Sequence, residues 1–294
     1  MGKNKFNFER RKNMKKWIQK MLTLCLAAAM IVTAFAPVTT EAKTKSMTLY
    51  KGEKIYYTNF SKVTGVSSSK KSVVAIAKDK KQDSHANITA KKTGKSTVTI
   101  KTKGGTVKYV VTVKPLSFTV KVKDMGNGNA LLCIKNNTKQ TFEQIAITYY
   151  LRDAAGNVFD KDTVTLYDSV AGKWCYRTVY YSSYTYSMDA AQSSAKVVGV
   201  SHDPGHKYTN QTSKIAVSSK VSGDKLVIKT KNKSKSYVNG YNYILFYDAA
   251  GQIIEMRTDS IYLKAGALNS SSISLPYNGY DHYEIKTAAY SESY

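Results

Sequence analysis

The chain contains Tyr149-Tyr-Leu-Arg-Asp-Ala-Ala-Gly156 and, 95 positions later, Ile244-Leu-Phe-Tyr-Asp-Ala-Ala-Gly251. Each copy is an apolar run that ends in an Asp-Ala-Ala-Gly turn. The flanks keep the same order, because residues 131–137 match residues 226–232 upstream and Ala171-Gly172 matches Ala265-Gly266 downstream. Such a repeat indicates an internal duplication, and its apolar runs are typical of strands, so the sequence predicts two similar β modules in tandem.

The first 42 residues have the composition of a secretory signal. Residues 1–20 carry eight lysines and arginines, and residues 21–36 form an apolar run. A basic segment followed by a short apolar segment predicts a signal helix that is removed on export. The alternative is an uncleaved membrane anchor. The run has 16 residues, whereas a spanning helix needs about 20, so its length favours a cleaved signal. Thr40-Glu-Ala42 supplies small residues for cleavage after Ala42.

Export determines where the protein is expected to act. The mature chain would begin at Lys43, and its 252 residues contain no second apolar run of membrane length. The sequence therefore predicts an extracellular protein of a Gram-positive-like bacterium, secreted or associated with the cell surface. No transmembrane segment is expected in the mature chain.

Positive charge is concentrated in residues 43–114. This segment contains 17 lysines, no arginine and three acidic residues, a net charge of +14, whereas residues 115–206 carry +1 and residues 207–294 carry +4. Such a field concentrates a protein on anionic polymer, while base-specific recognition of nucleic acid favours arginine. We therefore predict anionic cell-wall polymer as a partner and no specific nucleic acid. The alternative is that the lysines only keep sheet edges soluble. The candidate contacts are Lys70, Lys71, Lys80, Lys81, Lys91 and Lys92.

Residues 43–114 also carry a family pattern. The segment contains Leu49-Tyr-Lys-Gly-Glu53, Ser67-Ser-Ser-Lys-Lys-Ser-Val-Val-Ala-Ile-Ala77 and Ile88-Thr-Ala-Lys-Lys-Thr-Gly-Lys-Ser-Thr-Val-Thr-Ile100. In order and spacing it resembles the bacterial immunoglobulin-like group 2 domain. It departs from the pattern at Gly65-Val66, where the family usually has an aromatic residue. The resemblance implies a compact all-β domain used in surface proteins, including adhesins, and often as a spacer.

The duplicated half resembles a second family. Pro115 cannot donate to a strand ladder and so marks a boundary near residue 115. Beyond it, Tyr149-Tyr-Leu-Arg-Asp153 and Ile244-Leu-Phe-Tyr-Asp248 partly match the phrase aromatic, any residue, apolar, Tyr, Asp, and both copies resemble the FxLYD family of extracellular domains. Arg152, Ile244 and the Ala-Gly pairs depart from its pattern. The resemblance implies immunoglobulin-like modules with no known catalytic role, at residues 115–203 and 208–294.

Two cysteines, Cys133 and Cys175, remain after removal of the signal. That number suits one disulfide in an oxidising compartment. By the 95-residue repeat Cys133 aligns with Ile228, and Cys175 aligns with Asn269 by the flanking match, so the second copy lacks the pair. The sequence leaves open a bridge between Cys133 and Cys175 or two separate thiols packed as small apolar groups.

The sequence offers little for catalysis or metal binding. His202, Asp203 and His206 are close together, but Pro204-Gly205 separates them and disfavours a helix that would make them converge. We interpret this segment as a linker. With four histidines in the chain and no recognisable nucleophile motif, we predict no catalytic residues, no metal site, no cofactor and no enzymatic activity.

Tyrosine is the most suggestive side chain for binding. Tyrosines cluster late in the first copy and recur through the second, and exposed aromatic rings can stack on sugars or anchor a protein partner. The alternative is that they face the core or simply suit a pleated surface. The candidate platform consists of Tyr180, Tyr181, Tyr184, Tyr186, Tyr241 and Tyr243.

Together these features predict an all-β protein of three tandem immunoglobulin-like β-sandwiches after an N-terminal signal helix. Its predicted function is non-catalytic adhesion or ligand binding, with a glycan, wall polymer or protein as ligand. The alternative function is a structural spacer or wall component without a specific ligand.

Overall fold

The computed structural model describes residues 44–58, 61–126, 128–183 and 185–293. The described residues form twenty strands and one short 3-10 turn, Thr212–Lys214. The all-β prediction is therefore confirmed. The predicted signal peptide and its helix lie outside the described residues. Within the described part of the chain, no helix has the length and apolar character needed to cross a membrane.

Residues 44–114, which we call module one, form an immunoglobulin-like sandwich. Its sheets have the strand orders β1-β7-β6-β3 and β2-β5-β4, and only β1 and β7 pair in parallel. The grouping of the second, fourth and fifth strands against the third, sixth and seventh is that of the immunoglobulin fold. Alternate side chains such as Ile88 of β5 and Ile100 of β6 are fully buried between the sheets. The strands are β1 (Thr44–Tyr50), β2 (Lys54–Thr58), β3 (Val63–Ser68), β4 (Val74–Lys78), β5 (His85–Ala90), β6 (Gly94–Thr102) and β7 (Gly105–Lys114).

Module two, residues 118–201, and module three, residues 207–293, have the same strand order in their two sheets apart from one added strand. Module two pairs β12-β9-β8 and β11-β10-β13, and module three pairs β15-β16-β19 and β14-β20-β17-β18, so β14 is the added strand. Module two contains β8 (Phe118–Gly126), β9 (Asn129–Asn136), β10 (Phe142–Arg152), β11 (Val158–Ser169), β12 (Trp174–Tyr180) and β13 (Ser194–Ser201). Module three contains β14 (Lys207–Asn210), β15 (Ile215–Ser222), β16 (Lys225–Asn232), β17 (Val238–Tyr247), β18 (Ile253–Leu263), β19 (Leu268–Ser274) and β20 (His282–Ser293).

The repeated turn has the same internal structure in both copies. The Asp153 carboxylate accepts a hydrogen bond from the backbone N–H of Asn157 at 2.9 Å, and the Asp248 carboxylate accepts one from Gln252 at 2.8 Å. Each turn then needs a residue with positive φ, which glycine supplies most easily. The φ angles of Gly156 and Gly251 are 83° and 76°. The repeated Asp and Gly are therefore explained by the turn itself.

A buried asparagine corrects the alignment of the two copies. The Asn136 amide donates to the Ser169 carbonyl at 2.9 Å, and the Asn232 amide donates to the Leu263 carbonyl at 3.0 Å. These residues are structural equivalents, whereas the sequence match paired residue 137 with residue 232. The alignment shifts by one residue because the stretch from Asn136 to Asp153 is one residue longer than the stretch from Asn232 to Asp248. Cys133 therefore corresponds to Lys229 and not to Ile228.

Modules two and three pack sheet against sheet. In β9, Leu131 and Leu132 point to opposite faces, yet both are fully buried. In β17, Ile244 packs in the core of module three, while Tyr243 and Leu245 belong to the core cluster of module two. The corresponding face of β16 in module three carries the exposed residues Lys225, Lys229 and Lys231. The duplicated sandwiches are therefore joined through a shared apolar interface and not only in series.

A buried contact between Glu53 and His202 joins module one to module two. Glu53, in the β1–β2 turn, is fully buried. Its carboxylate accepts a hydrogen bond from the Tyr50 backbone N–H at 2.9 Å and lies 2.5 Å from Nδ1 of His202. The rings of Tyr50 and Phe142 meet edge to face at 5.0 Å. His202 is therefore part of a module interface, which the interpretation of residues 201–206 as a simple linker missed.

We expect Glu53→Ala to destabilise the protein far more than Asp83→Ala. Removing Glu53 leaves the buried backbone N–H groups of Tyr50 and His202 without their acceptor, and each unsatisfied buried group costs about 1–3 kcal/mol. The Asp83 side chain is 75% exposed in its pair with Lys62, and an exposed pair contributes little to stability because water screens it. Urea denaturation measures both free energies of unfolding. Equal losses in the two variants would show that the Glu53–His202 pair does not stabilise the fold.

Candidate functional site

Module one presents its positive charge to solvent. All sixteen lysines between residues 44 and 114 that the structure describes are exposed. Of the three acidic residues, Glu53 is buried, the Asp79 carboxylate accepts the Lys81 backbone N–H at 2.7 Å, and Asp83 pairs with Lys62 at 2.7 Å. The hydrogen bond from Lys62 lowers the pKa of Asp83. Few carboxylates are thus left to offset the lysines.

The six predicted wall-contact lysines lie at two ends of module one. Lys70 and Lys71 precede β4, and Lys91 and Lys92 follow β5. Backbone hydrogen bonds connect these turns, because Lys91 donates to the Val73 carbonyl at 2.8 Å and Val73 donates to the Lys70 carbonyl at 2.9 Å. These four lysines form one group, which we call the proximal lysines.

The other two predicted contacts are elsewhere. Lys80 and Lys81 lie in the turn between β4 and β5, at the opposite end of both strands. All six lysines are exposed. The structure therefore forms one group of four lysines and one group of two, and not a single patch of six.

The tyrosines late in module two differ in exposure. Tyr180 is 77% exposed and Tyr186 is 43% exposed. Tyr186 stacks on Phe159 with ring centroids 4.7 Å apart. Tyr181 is half-buried, and its hydroxyl donates to Asp124 at 3.1 Å. Tyr184 lies outside the described residues. Tyr180 and Tyr186 are therefore the two predicted platform residues that the structure presents to solvent.

The two predicted platform tyrosines of module three, Tyr241 and Tyr243, pack at the interface with module two. Tyr243 is 2% exposed, and its ring centroid lies 5.2 Å from that of Tyr176 across the interface between modules two and three. Tyr241 is half-buried and packs against the same core cluster. Burial raises the pKa of Tyr243. The expectation that Tyr243 belongs to an exposed platform is corrected, because the duplicated modules cover it.

A shallow groove lies beside Tyr186. Residues 153–155 and residues 185–190 line it, and its volume is about 600 Å³. Its carboxylates already serve the local backbone: Asp153 accepts from Asn157, and Asp189 accepts from the backbone N–H of Ala191 at 2.7 Å. The hydrogen bond from the Asn157 side chain lowers the pKa of Asp153 below its ordinary value. An aromatic edge with fixed carboxylates suits a hydroxyl-rich ligand better than it suits nucleophilic chemistry.

The two cysteines are free and buried. Cys175 pairs with Ile134 and Tyr176 pairs with Cys133 in the β9–β12 ladder. Opposite residues in an antiparallel ladder share a face and neighbours alternate, so the two thiols point to opposite sides of the sheet. The disulfide between Cys133 and Cys175 does not form. Burial raises the pKa of Cys133 to about 11 and that of Cys175 to about 12, so both thiols are poor nucleophiles.

The histidines of residues 201–206 belong to two different interfaces. His202 joins module one to module two through Glu53. His206 instead pairs with Glu292 of module three and lies 3.7 Å from Asp203. Near it, one potential ligand atom from each of Glu143, His206 and Glu292 lies within 4.8 Å of the others. The prediction of no metal site did not consider this group, because its members are far apart in sequence.

The surroundings of this group are acidic and partly buried. Asp168 has a φ of 56° and its carboxylate accepts a hydrogen bond from the Tyr290 hydroxyl at 2.8 Å. Burial, together with the negative charges of Glu143 and Glu292, raises the pKa of Asp168 to about 6. The junction between modules two and three therefore collects negative charge in a chain whose formal net charge is +25.

Comparison with known proteins adds two distant structural similarities. No family model matches the chain, and no curated protein matches it. Among solved structures, native alpha-2-macroglobulin from Escherichia coli, spanning domains MG0-NIE-MG1, is 8% identical, with 80% of this chain and 90% of that chain covered and a TM-score of 0.20. Trypsin-activated alpha-2-macroglobulin from Escherichia coli is 10% identical, with 88% of this chain and 23% of that chain covered and a TM-score of 0.19. At these TM-scores neither similarity carries an argument about this chain. The two family resemblances in the sequence stay predictions.

Proposed function

We propose that this chain is a non-catalytic, exported binding protein that attaches to anionic cell-wall polymer through module one. The observation that carries the proposal is the outward charge of that module, with sixteen exposed lysines among its described residues. The described residues of the module include three acidic side chains, of which Glu53 is buried and Asp83 neutralises only Lys62, so most of the lysine charge is uncompensated. The wall is the abundant polyanion outside a Gram-positive-like cell.

The physical basis is multivalent attraction. A single exposed ion pair contributes about 1 kcal/mol or less, but a lysine-rich surface makes many such contacts with a flexible polymer at once. Lysine presents a compact, hydrated charge without the planar geometry that base recognition requires. Attraction of this kind weakens as salt shortens the Debye length from about 10 Å at 0.1 M to about 3 Å at 1 M.

We further propose that the exposed rings of module two bind a surface glycan or protein. Tyr180 and Tyr186 are exposed, and the groove of residues 153–155 and 185–190 adjoins Tyr186. Aromatic faces of this kind stack on the apolar faces of sugars. Assignment of module one to the bacterial immunoglobulin-like group 2 family, and of modules two and three to the FxLYD family, is part of the same proposal. The immunoglobulin-like strand grouping of module one supports it.

The proximal lysines provide a direct test of wall binding. We expect replacement of Lys70, Lys71, Lys91 and Lys92 by Gln to weaken binding to purified cell walls about tenfold at low salt, because four exposed charges are lost from one group. The matched control replaces Lys220, Lys225, Lys229 and Lys231 of module three, which changes net charge equally. Co-sedimentation across a salt series measures both. Binding that is insensitive to salt, or equal losses in the two variants, would contradict a site in module one.

Tyr180→Ser with Tyr186→Ser tests the ligand surface. Both rings are largely outside the core, so we expect the melting temperature to change little while binding to a glycan array falls at least tenfold, since stacking is lost. Tyr56→Ser is a matched control, because Tyr56 is 63% exposed on module one. If the array shows no ligand for the native chain, or the double variant binds as well as the control, modules two and three act as a spacer.

A further inference from the structure

Three metal-ligating side chains converge where module two meets module three. Glu143 lies at the start of β10, His206 precedes β14, and Glu292 lies near the end of β20. One ligand atom from each lies within 4.8 Å of the other two. The residues belong to three separate segments, so only the docking of the two modules brings them together.

The local structure holds these side chains in place. His206 belongs to a turn in which its backbone N–H donates to the Asp203 carbonyl at 3.1 Å. The antiparallel pairing of β14 with β20 sets Tyr208 opposite Glu292. The side chains of His206 and Glu292 are 13% and 33% exposed. The group is therefore partly shielded from solvent and fixed by backbone contacts on two sides.

The contacts around the group follow the pattern of an outer coordination shell. Nδ1 of His206 faces Glu292, while its Nε2 lies 3.7 Å from the Asp203 carboxylate. The Tyr208 hydroxyl donates to the Glu143 carboxylate. A metal-bound histidine commonly has a carboxylate at its other ring nitrogen, and a metal-bound carboxylate is commonly hydrogen-bonded in turn. Both features are present here.

Charge also favours a cation at this position. Glu143, Glu292 and Asp203 bring three carboxyl groups to the surroundings of one imidazole. Carboxylates taken partly out of water need a compensating charge. A divalent ion would supply it while leaving His206 neutral, as ligation requires.

We propose that Glu143, His206 and Glu292 bind one divalent transition-metal ion of the zinc type, which fastens module two to module three. One imidazole nitrogen with two carboxylates suits zinc, whereas calcium and magnesium prefer oxygen ligands alone. Zinc bonds of about 2.0–2.2 Å place tetrahedral neighbours about 3.3–3.5 Å apart. Nδ1 of His206 and the Glu292 carboxylate, which are in direct contact, would separate to that distance to admit the ion between them.

Calorimetric titration of the chelator-treated full chain with zinc tests the proposal. We expect the native chain to bind zinc more tightly than calcium or magnesium and to melt at a higher temperature with zinc present. Glu143→Gln and Glu292→Gln should each weaken zinc binding at least tenfold, because each removes a direct ligand. Asp203→Asn should weaken it about tenfold, within the 10–100-fold range for outer-shell changes.

Two control variants separate this group from other surface groups. Glu284→Gln and His282→Gln alter exposed residues of the same strand, β20, and should leave zinc affinity unchanged. Circular dichroism in chelator checks that every variant folds. If the native chain binds no zinc, the contacts form only a histidine–carboxylate ion pair and the proposal fails. Equal zinc affinity in Glu292→Gln and Glu284→Gln, or tighter binding of calcium than of zinc, would also overturn it.

Discussion

Both faces of β9 in module two and of β17 in module three are covered, and most other features of the duplicated half depend on this. A strand in a single sandwich buries one face, but Leu131 and Leu132 are both fully buried, as is Ile244 on one side of β17 with Tyr243 on the other. At about 25 cal/mol per Å² of apolar surface removed from water, such burial is a strong reason for the modules to stay together. It explains why the equivalent face of β16 is rich in lysine, since no module covers it.

Docking also decides which side chains are available for function. The interface uses Tyr243 and Cys133 and brings Glu143, His206 and Glu292 together, while Tyr180 and Tyr186 stay exposed. The contact between Glu53 and His202 fastens module one to module two. The proximal lysines sit in turns next to β4 and β5, so their exposed charge is displayed by a module that is held by a buried contact.

The sequence predicted the fold class because alternation, turn residues and the repeat are local signals. It also contained a signal for the docking, because residues 130–134 of β9 and 243–247 of β17 are continuous apolar runs, whereas β16 has only three successive apolar residues, 226–228. A continuous run indicates a strand covered on both faces. The face that each side chain occupies needs the strand register, so the relative orientation of Cys133 and Cys175 could not be predicted, and neither could the module that covers Tyr243. Glu53 with His202, and Glu143 with Glu292, meet only after modules dock, and no local pattern records such contacts.

The central claim is that modules two and three form one docked body, and thiol labelling tests it most directly. Cys133 is 4% exposed at the interface and Cys175 is 1% exposed inside module two, so the first thiol reports separation of the modules and the second reports unfolding. The protein is alkylated at increasing urea concentrations, and mass spectrometry then measures the alkylated fraction of each cysteine-containing peptide. We expect both thiols to be protected in the native protein and to become reactive at the same urea midpoint. Rapid labelling of Cys133 in native buffer, with Cys175 still protected, would contradict the docked arrangement.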